Sequence, residues 1–130
     1  MDELERIRKE KMEKMLKSRN LKLTIETNDS DFQEKVIEQS KTIPVLVDFW
    51  AQWCMPCLAL SPVLERLVEE YNGRFILAKA DVEQTETMAN TYDIRNIPNV
   101  KLFKSGRPVA EFIGVETEAV IRRMLDENLG

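Results

Sequence analysis

Pro44-Val45-Leu46-Val47-Asp48-Phe49-Trp50-Ala51-Gln52-Trp53-Cys54-Met55-Pro56-Cys57 is the stretch on which the reading of the fold turns. Its first half, through Trp50, is a nearly continuous apolar run, the composition of a strand covered on both faces. Its second half ends in a Cys-x-x-Cys pair. Beyond it Leu60, Val63, Leu64, Leu67, Val68 and Tyr71 recur at helical spacing until Gly73, a residue suited to the position just past a helix end. The cysteines are therefore expected where a central strand gives way to the longest helix of the domain. Pro56 is tolerated in a first helical turn, where its missing N–H is not needed, and it stiffens the link between the two sulfurs. Pro62 falls inside the helical pattern and is expected to bend it.

Strands and helices alternate on both sides of this segment. Upstream, Leu21, Leu23 and Ile25 alternate with polar residues as in a strand, and Asn28-Asp29-Ser30 offers caps to a helix carrying Phe32, Val36 and Ile37. Downstream, residues 74–80 read as a buried strand and residues 85–92, with Met88, Ala89 and Tyr92, as a short helix. Two further strands, 100–104 and 109–113, flank the turn signal Ser105-Gly106-Arg107-Pro108. Thr117 opens a last helix with Val120, Ile121, Met124 and Leu125 inward. The order βαβαβαββα implies parallel pairing with right-handed crossovers and an antiparallel hairpin at one edge, a mixed α/β sheet of mainly five strands flanked by helices.

Residues 1–19 differ in character from the rest. They hold seven basic residues (Arg6, Arg8, Lys9, Lys11, Lys14, Lys17, Arg19) and five acidic ones (Asp2, Glu3, Glu5, Glu10, Glu13), with neither Gly nor Pro. Acidic residues lead and basic ones follow, which suits the helix macrodipole, and Glu5/Lys9, Glu10/Lys14 and Glu13/Lys17 are favourable pairs one turn apart. A charged helical extension over 1–19 is expected, followed by one domain over 20–130. The apolar stripe of the extension (Leu4, Ile7, Met12, Met15, Leu16) is thin.

At 130 residues and 43% hydrophobic content the chain can bury one core, and a net charge of −4 with pI near 5.0 gives no general attraction to nucleic acid or anionic membrane. The N-terminal residues lack the apolar core of a secretory signal, and no apolar run reaches the roughly 18 residues of a membrane span, so a cytosolic location is expected. Thiols there are kept reduced, which makes a Cys-x-x-Cys pair catalytic or metal-binding rather than a structural staple. The chain has two cysteines and no histidine. A structural zinc site needs four nitrogen or sulfur ligands, so one chain cannot build it.

Dithiol chemistry remains. A thiol at a helix N-terminus faces unpaired backbone N–H groups and the positive end of the macrodipole, both of which favour the thiolate, the nucleophilic form. If the helix end supplies up to about 2 kcal/mol, it lowers a cysteine from about 8.5 by a unit or more, into the range where attack on disulfides is fastest. Cys54 is expected to be the exposed attacker. Cys57, one turn further and shielded by the helix, is expected to resolve the mixed disulfide.

The segment from Val47 to Cys57 resembles the active-site segment of the thioredoxin family, and Ile97-Pro98 after Arg95 resembles that family's cis-proline loop. The likeness covers roughly residues 21 to 129, with Pro98, Lys79 and Gly114 in the expected order. It implies the thioredoxin fold with an extra N-terminal helix, and a protein that reduces disulfides in other proteins, binds no cofactor and is recycled by a thioredoxin reductase, commonly flavin-dependent. It further implies that Asp48 is a buried carboxylate beneath Cys57 assisting its deprotonation, and that Lys79 is its charge partner. Trp53, Met55, Pro56, Ile97, Pro98 and Gly114 would form the substrate-contacting surface, with the backbone around Ile97 pairing with an extended substrate strand. The residue types agree for Asp48. A carboxylate in an apolar strand is costly to ionise unless paired, so its pKa is expected to rise towards neutrality; the competing reading is a capped or strand-end carboxylate.

Two positions depart from the family pattern. Met55 stands where thioredoxins usually have glycine, and Asn99 where threonine is common after the proline. Met55 carries no charge to stabilise the Cys54 thiolate as a histidine there would, which favours a reductase over a strongly oxidising protein. The competing readings are a disulfide oxidase or isomerase and a redox-inert interaction module.

Overall fold

A computed structural model describes residues 2–18 and 22–130. Five strands, β1 (Thr24–Thr27), β2 (Val45–Trp50), β3 (Ile76–Asp81), β4 (Asn99–Lys104) and β5 (Arg107–Ile113), form a sheet in the order β1-β3-β2-β4-β5. β3 pairs parallel with β1 and β2, while β4 and β5 extend the sheet antiparallel from β2. The helices are α1 (Glu3–Ser18), α2 (Met55–Glu70), α3 (Glu86–Thr91) and α4 (Glu118–Leu129). This is the mixed five-stranded sheet flanked by helices that the sequence predicts.

The period of two along β2 splits the core into two layers. Leu46 joins Leu60, Leu64, Leu67 and Val68 of α2 and Ile121 and Leu125 of α4 on one face. Val45, Val47 and Phe49 join Phe32, Val36, Ala78, Ala80 and Phe103 on the other. Each of these side chains is at most 1% exposed, so β2 is the covered central strand that its apolar run requires. Alternation then places Asp48 on the α2 face. The register repeats this: Asp48 lies beside Lys79 of β3 and Val100 of β4.

Several boundaries differ from the sequence reading. The first strand is Thr24–Thr27 rather than one beginning at Leu21, which lies outside the described residues; Leu23 precedes it, and Leu77 donates its N–H to the Leu23 carbonyl. The segment after Asn28 is a π-helical turn, Gln33–Glu38, running into a 3₁₀ turn, Gln39–Lys41. Phe32, Val36 and Ser40 are all buried there, and Ser40 ties the segment to the β4–β5 turn, accepting the Gly106 N–H at 2.8 Å and the Ser105 N–H on its carbonyl at 2.9 Å. Of the three polar residues offered as caps, Asn28 serves locally, accepting from Ser30 and Asp31 N–H. Asp29 instead caps α3, taking the N–H groups of Thr87 and Met88 at 3.0 Å each. β5 begins at Arg107 and includes Pro108, which is allowed because β5 is an edge strand with a register shift opposite, between Leu102 and Phe103. α2 ends near Gly73 as expected, through Asn72 and Gly73, both at positive φ.

α1 is helical as expected, and its side chains from Glu3 to Lys11 are exposed. Its ion pair among the described side chains joins Arg6 to Glu3 at 3.5 Å instead of Glu5 to Lys9; Lys14 and Lys17 lie outside the described side chains. No helix among the described residues is long and apolar enough to cross a membrane.

Candidate active site

The site sits where β2 runs out and α2 begins. β2 delivers the chain through Trp50 and Ala51, and Cys54 is the N-cap of α2 with extended backbone (φ −91°, ψ 102°). Its Sγ accepts the backbone N–H of Cys57 at 3.3 Å, so the sulfur takes the role a serine oxygen plays at an ordinary helix start. Cys54 and Cys57 are joined in a disulfide with Cα atoms 5.3 Å apart. Cys57 is fully buried. Cys54 retains 5% exposure, so the attacker expected to be exposed is instead reached at a narrow rim. Ala51, Cys54 and Cys57 pack together against Trp50, Val82 and Ile97, which accounts for the covering.

The loop before β4 closes over the sulfur. The Ile97 carbonyl oxygen lies 4.0 Å from Cys54 Sγ, and the Ile97-Pro98 peptide is cis. The Pro98 carbonyl accepts the N–H of Gly114 at 2.7 Å, so three segments far apart in sequence meet at the site. Gly114 has φ +80°, which a side chain would strain although the space beside it is open. Around the rim Trp53 and Met55 are 67% and 73% exposed, Ile113 and Val115 more than half, and Pro56 is exposed too. Ile97 is half-buried and Pro98 buried, so Pro98 offers a substrate little but backbone. Trp53 donates its indole N–H to Glu83 at 3.0 Å. Nothing near Trp53 in the sequence foretells that partner.

Asp48 is 1% exposed and neither carboxylate oxygen has a hydrogen-bond partner. Burial pushes its carboxyl up to about 7; Lys79 nearby draws it down and Glu65 raises it further. It is neither capped nor at a strand end. Lys79, expected as its charge partner, makes its direct contacts elsewhere: Nζ donates to Ser61 Oγ at 2.6 Å, lies 3.7 Å from Glu65 Oε1, and sits over the Trp50 ring, 4.7 Å from its centroid. Ser61 and Glu65 were not singled out in the sequence, although with Cys57 they occupy successive four-residue steps along α2. Asn99 is buried beside the cis peptide with its side-chain oxygen unpartnered. Among the described residues no cluster of three or more His, Cys, Asp or Glu side chains is placed to hold a metal ion.

A Cys-x-x-Cys disulfide at the start of α2, an exposed apolar rim and a buried, unpartnered carboxyl on β2 define the class: this is a dithiol–disulfide oxidoreductase. The thioredoxin family model matches residues 23–127. Among relatives, the chain is 43% identical over 105 residues to Thioredoxin C-2 of Corynebacterium nephridii and 39% identical over 105 residues to Thioredoxin of Chlorobaculum thiosulfatiphilum, in each case 81% of this chain and 95% of the relative. It is also 38% identical over 113 residues to a "Bifunctional thioredoxin reductase/thioredoxin" of Mycobacterium leprae, covering 87% of this chain and 24% of that protein. The chain belongs to the thioredoxin family.

Proposed function

We propose that this protein reduces disulfide bonds in cytoplasmic proteins, with Cys54 as nucleophile and Cys57 as resolving thiol. The observation that carries this is the hydrogen bond from Cys57 N–H to Cys54 Sγ, with Cys57 sealed behind it. In the reduced protein the same N–H and the start of α2 favour negative charge on Cys54. That thiolate attacks one sulfur of a substrate disulfide, forming a mixed disulfide and expelling the other sulfur as a thiolate. Asp48, unpartnered and able to exchange a proton near neutrality, takes the Cys57 proton. Cys57 then attacks Cys54 Sγ, closing the internal disulfide and releasing the second substrate thiolate.

Trp53, Met55, Pro56, Ile97, Pro98 and Gly114 form the surface that receives the substrate, whose extended backbone pairs beside Ile97. Supporting this, the rim is apolar and three of its segments converge on Cys54. Two electrons return from a thioredoxin reductase, a partner class supported by the relative whose printed name joins the two activities. Residues 1–19 form an extension outside the catalytic domain of residues 20–130. The experiment is reduction of a protein disulfide by the dithiol form: replacing Cys54 with serine abolishes turnover, as does replacing Cys57, whereas full activity without Cys54 contradicts the proposal.

A further inference from the structure

Asp48 and Lys79 are register neighbours on one face of the sheet, the arrangement in which a lysine ordinarily reaches across to a buried carboxylate. It does not do so here. The Lys79 ammonium is drawn to α2, where Ser61 Oγ accepts its proton at 2.6 Å and the Glu65 carboxylate stands at 3.7 Å, while both oxygens of Asp48 remain without partners. The Trp50 ring floors the ammonium from β2. Beside it opens a cavity of about 390 Å³ lined by Lys79, Trp50, Thr27 and Asp81, so the cationic head keeps a route to water. The other groups on this face are accounted for. Glu26 of β1 is the register partner of Lys79, β4 presents apolar Val100 to Asp48, and α4 sends Ile121 and Leu125.

We propose that Ser61 is a positioning residue: with Glu65, its hydroxyl fixes the Lys79 ammonium against α2 and off the Asp48 carboxyl, which is thereby left free to receive a proton. A hydroxyl with one short bond to an ammonium costs that ammonium freedom, and a lysine has three donors and a long stem with which to find another partner once released. On the same face Asp48, its register neighbour, is a buried acceptor with neither oxygen satisfied. The inference rests on the reading of Asp48 as the proton acceptor for Cys57, and its test separates the two.

The test follows the Asp48 carboxyl by carbon NMR across pH in the oxidised full-length protein, where neither cysteine titrates. In Ser61→Ala the midpoint should fall by about 1 pH unit or more from about 7, the effect of an opposite charge moving within a few ångströms. Ser61→Thr, which keeps the hydroxyl, should hold the original midpoint. In a Lys79→Met background the Ser61→Ala change should do nothing, because the group it releases is gone. The pH profile of disulfide reduction should move with the carboxyl midpoint in Ser61→Ala. An unmoved midpoint in Ser61→Ala, or an equal fall in the Lys79→Met background, overturns the positioning role. Independently, unaltered exchange in Asp48→Asn overturns the reading of Asp48 as proton acceptor, whatever the Ser61 variants show.

Discussion

Cys54 Sγ and the backbone N–H of Cys57, 3.3 Å apart, form the N-cap of α2, so the sulfur proposed as nucleophile is also a structural element of the helix it begins. In the proposed mechanism the same bond that orders the first turn stabilises charge on the sulfur when the disulfide opens, and the consequences for the surrounding groups can be measured.

Asp48 couples stability to pH. Its carboxyl rises from an ordinary 3.8 to about 7 on folding because burial disfavours the charged form. The folded state then binds more protons than the unfolded one between these values, so stability is greatest below the unfolded value and falls as pH rises through about 7. At about 1.4 kcal/mol per pH unit the full loss is roughly 4 kcal/mol. Asp48→Asn should therefore stabilise the protein by a few kcal/mol at pH 8 and hardly at all at pH 3, read from denaturant melts at the two pH values. With Asp48 as the proposed proton acceptor for Cys57, the same variant should slow disulfide reduction near neutral pH by up to about 100-fold.

Trp53 is held at the rim by Glu83 through a hydrogen bond at 3.0 Å, and it is mostly exposed. Glu83→Ala should release the indole without unfolding anything. The expected outcome is a KM for protein disulfides raised several-fold, the effect of about 1 kcal/mol, with kcat and Tm unchanged. A kcat loss with KM constant would place Glu83 in the chemistry instead.

Much of this architecture was legible because it is periodic. The apolar run through Val45 to Phe49 and the helical spacing after Cys57 specify a covered strand feeding a helix, and the structure keeps both. What escaped depends on groups far apart in sequence. Asp29 reads as a cap for the segment directly after it, yet its carboxylate closes α3, 58 and 59 residues away. The π-helical turn after Phe32 has the same one-turn apolar spacing as an α-helix, and the 3₁₀ turn that follows is anchored through Ser40 to Ser105 and Gly106. The pairing of Lys79 with Ser61 and Glu65 rather than Asp48 is a choice among neighbours that spacing cannot rank. Pro98 and its cis peptide were readable only through the family resemblance, while the carbonyl contact to Gly114 belongs to the folded loop.

The remote cap makes its own prediction. Burial raises the Asp29 carboxyl, but the hydrogen bonds it accepts from Thr87 and Met88 together hold it below the usual range. A depressed carboxyl contributes stability above its unfolded value and loses it as pH falls. Asp29→Ala should cost about 1 kcal/mol at pH 7, by denaturant melts, and little at pH 2. A loss of equal size at both pH values would mean that packing, not the capping charge, is what the residue supplies.

The extension can be removed. Side chains from Glu3 to Lys11 are exposed along α1, and the family match begins at residue 23. A chain lacking residues 2–18 should keep its Tm and its rate of protein-disulfide reduction. A large fall in either would assign α1 to the catalytic domain.

The central claim is the division of labour between the two sulfurs, and covalent trapping tests it most directly. Reduced Cys57→Ser protein, mixed with a disulfide-bonded protein substrate at neutral pH, should accumulate a one-to-one mixed disulfide through Cys54, visible by mass spectrometry and reversed by added thiol. Reduced Cys54→Ser protein should accumulate none. Trapping through Cys57 in the Cys54→Ser protein, with none through Cys54, would contradict the account.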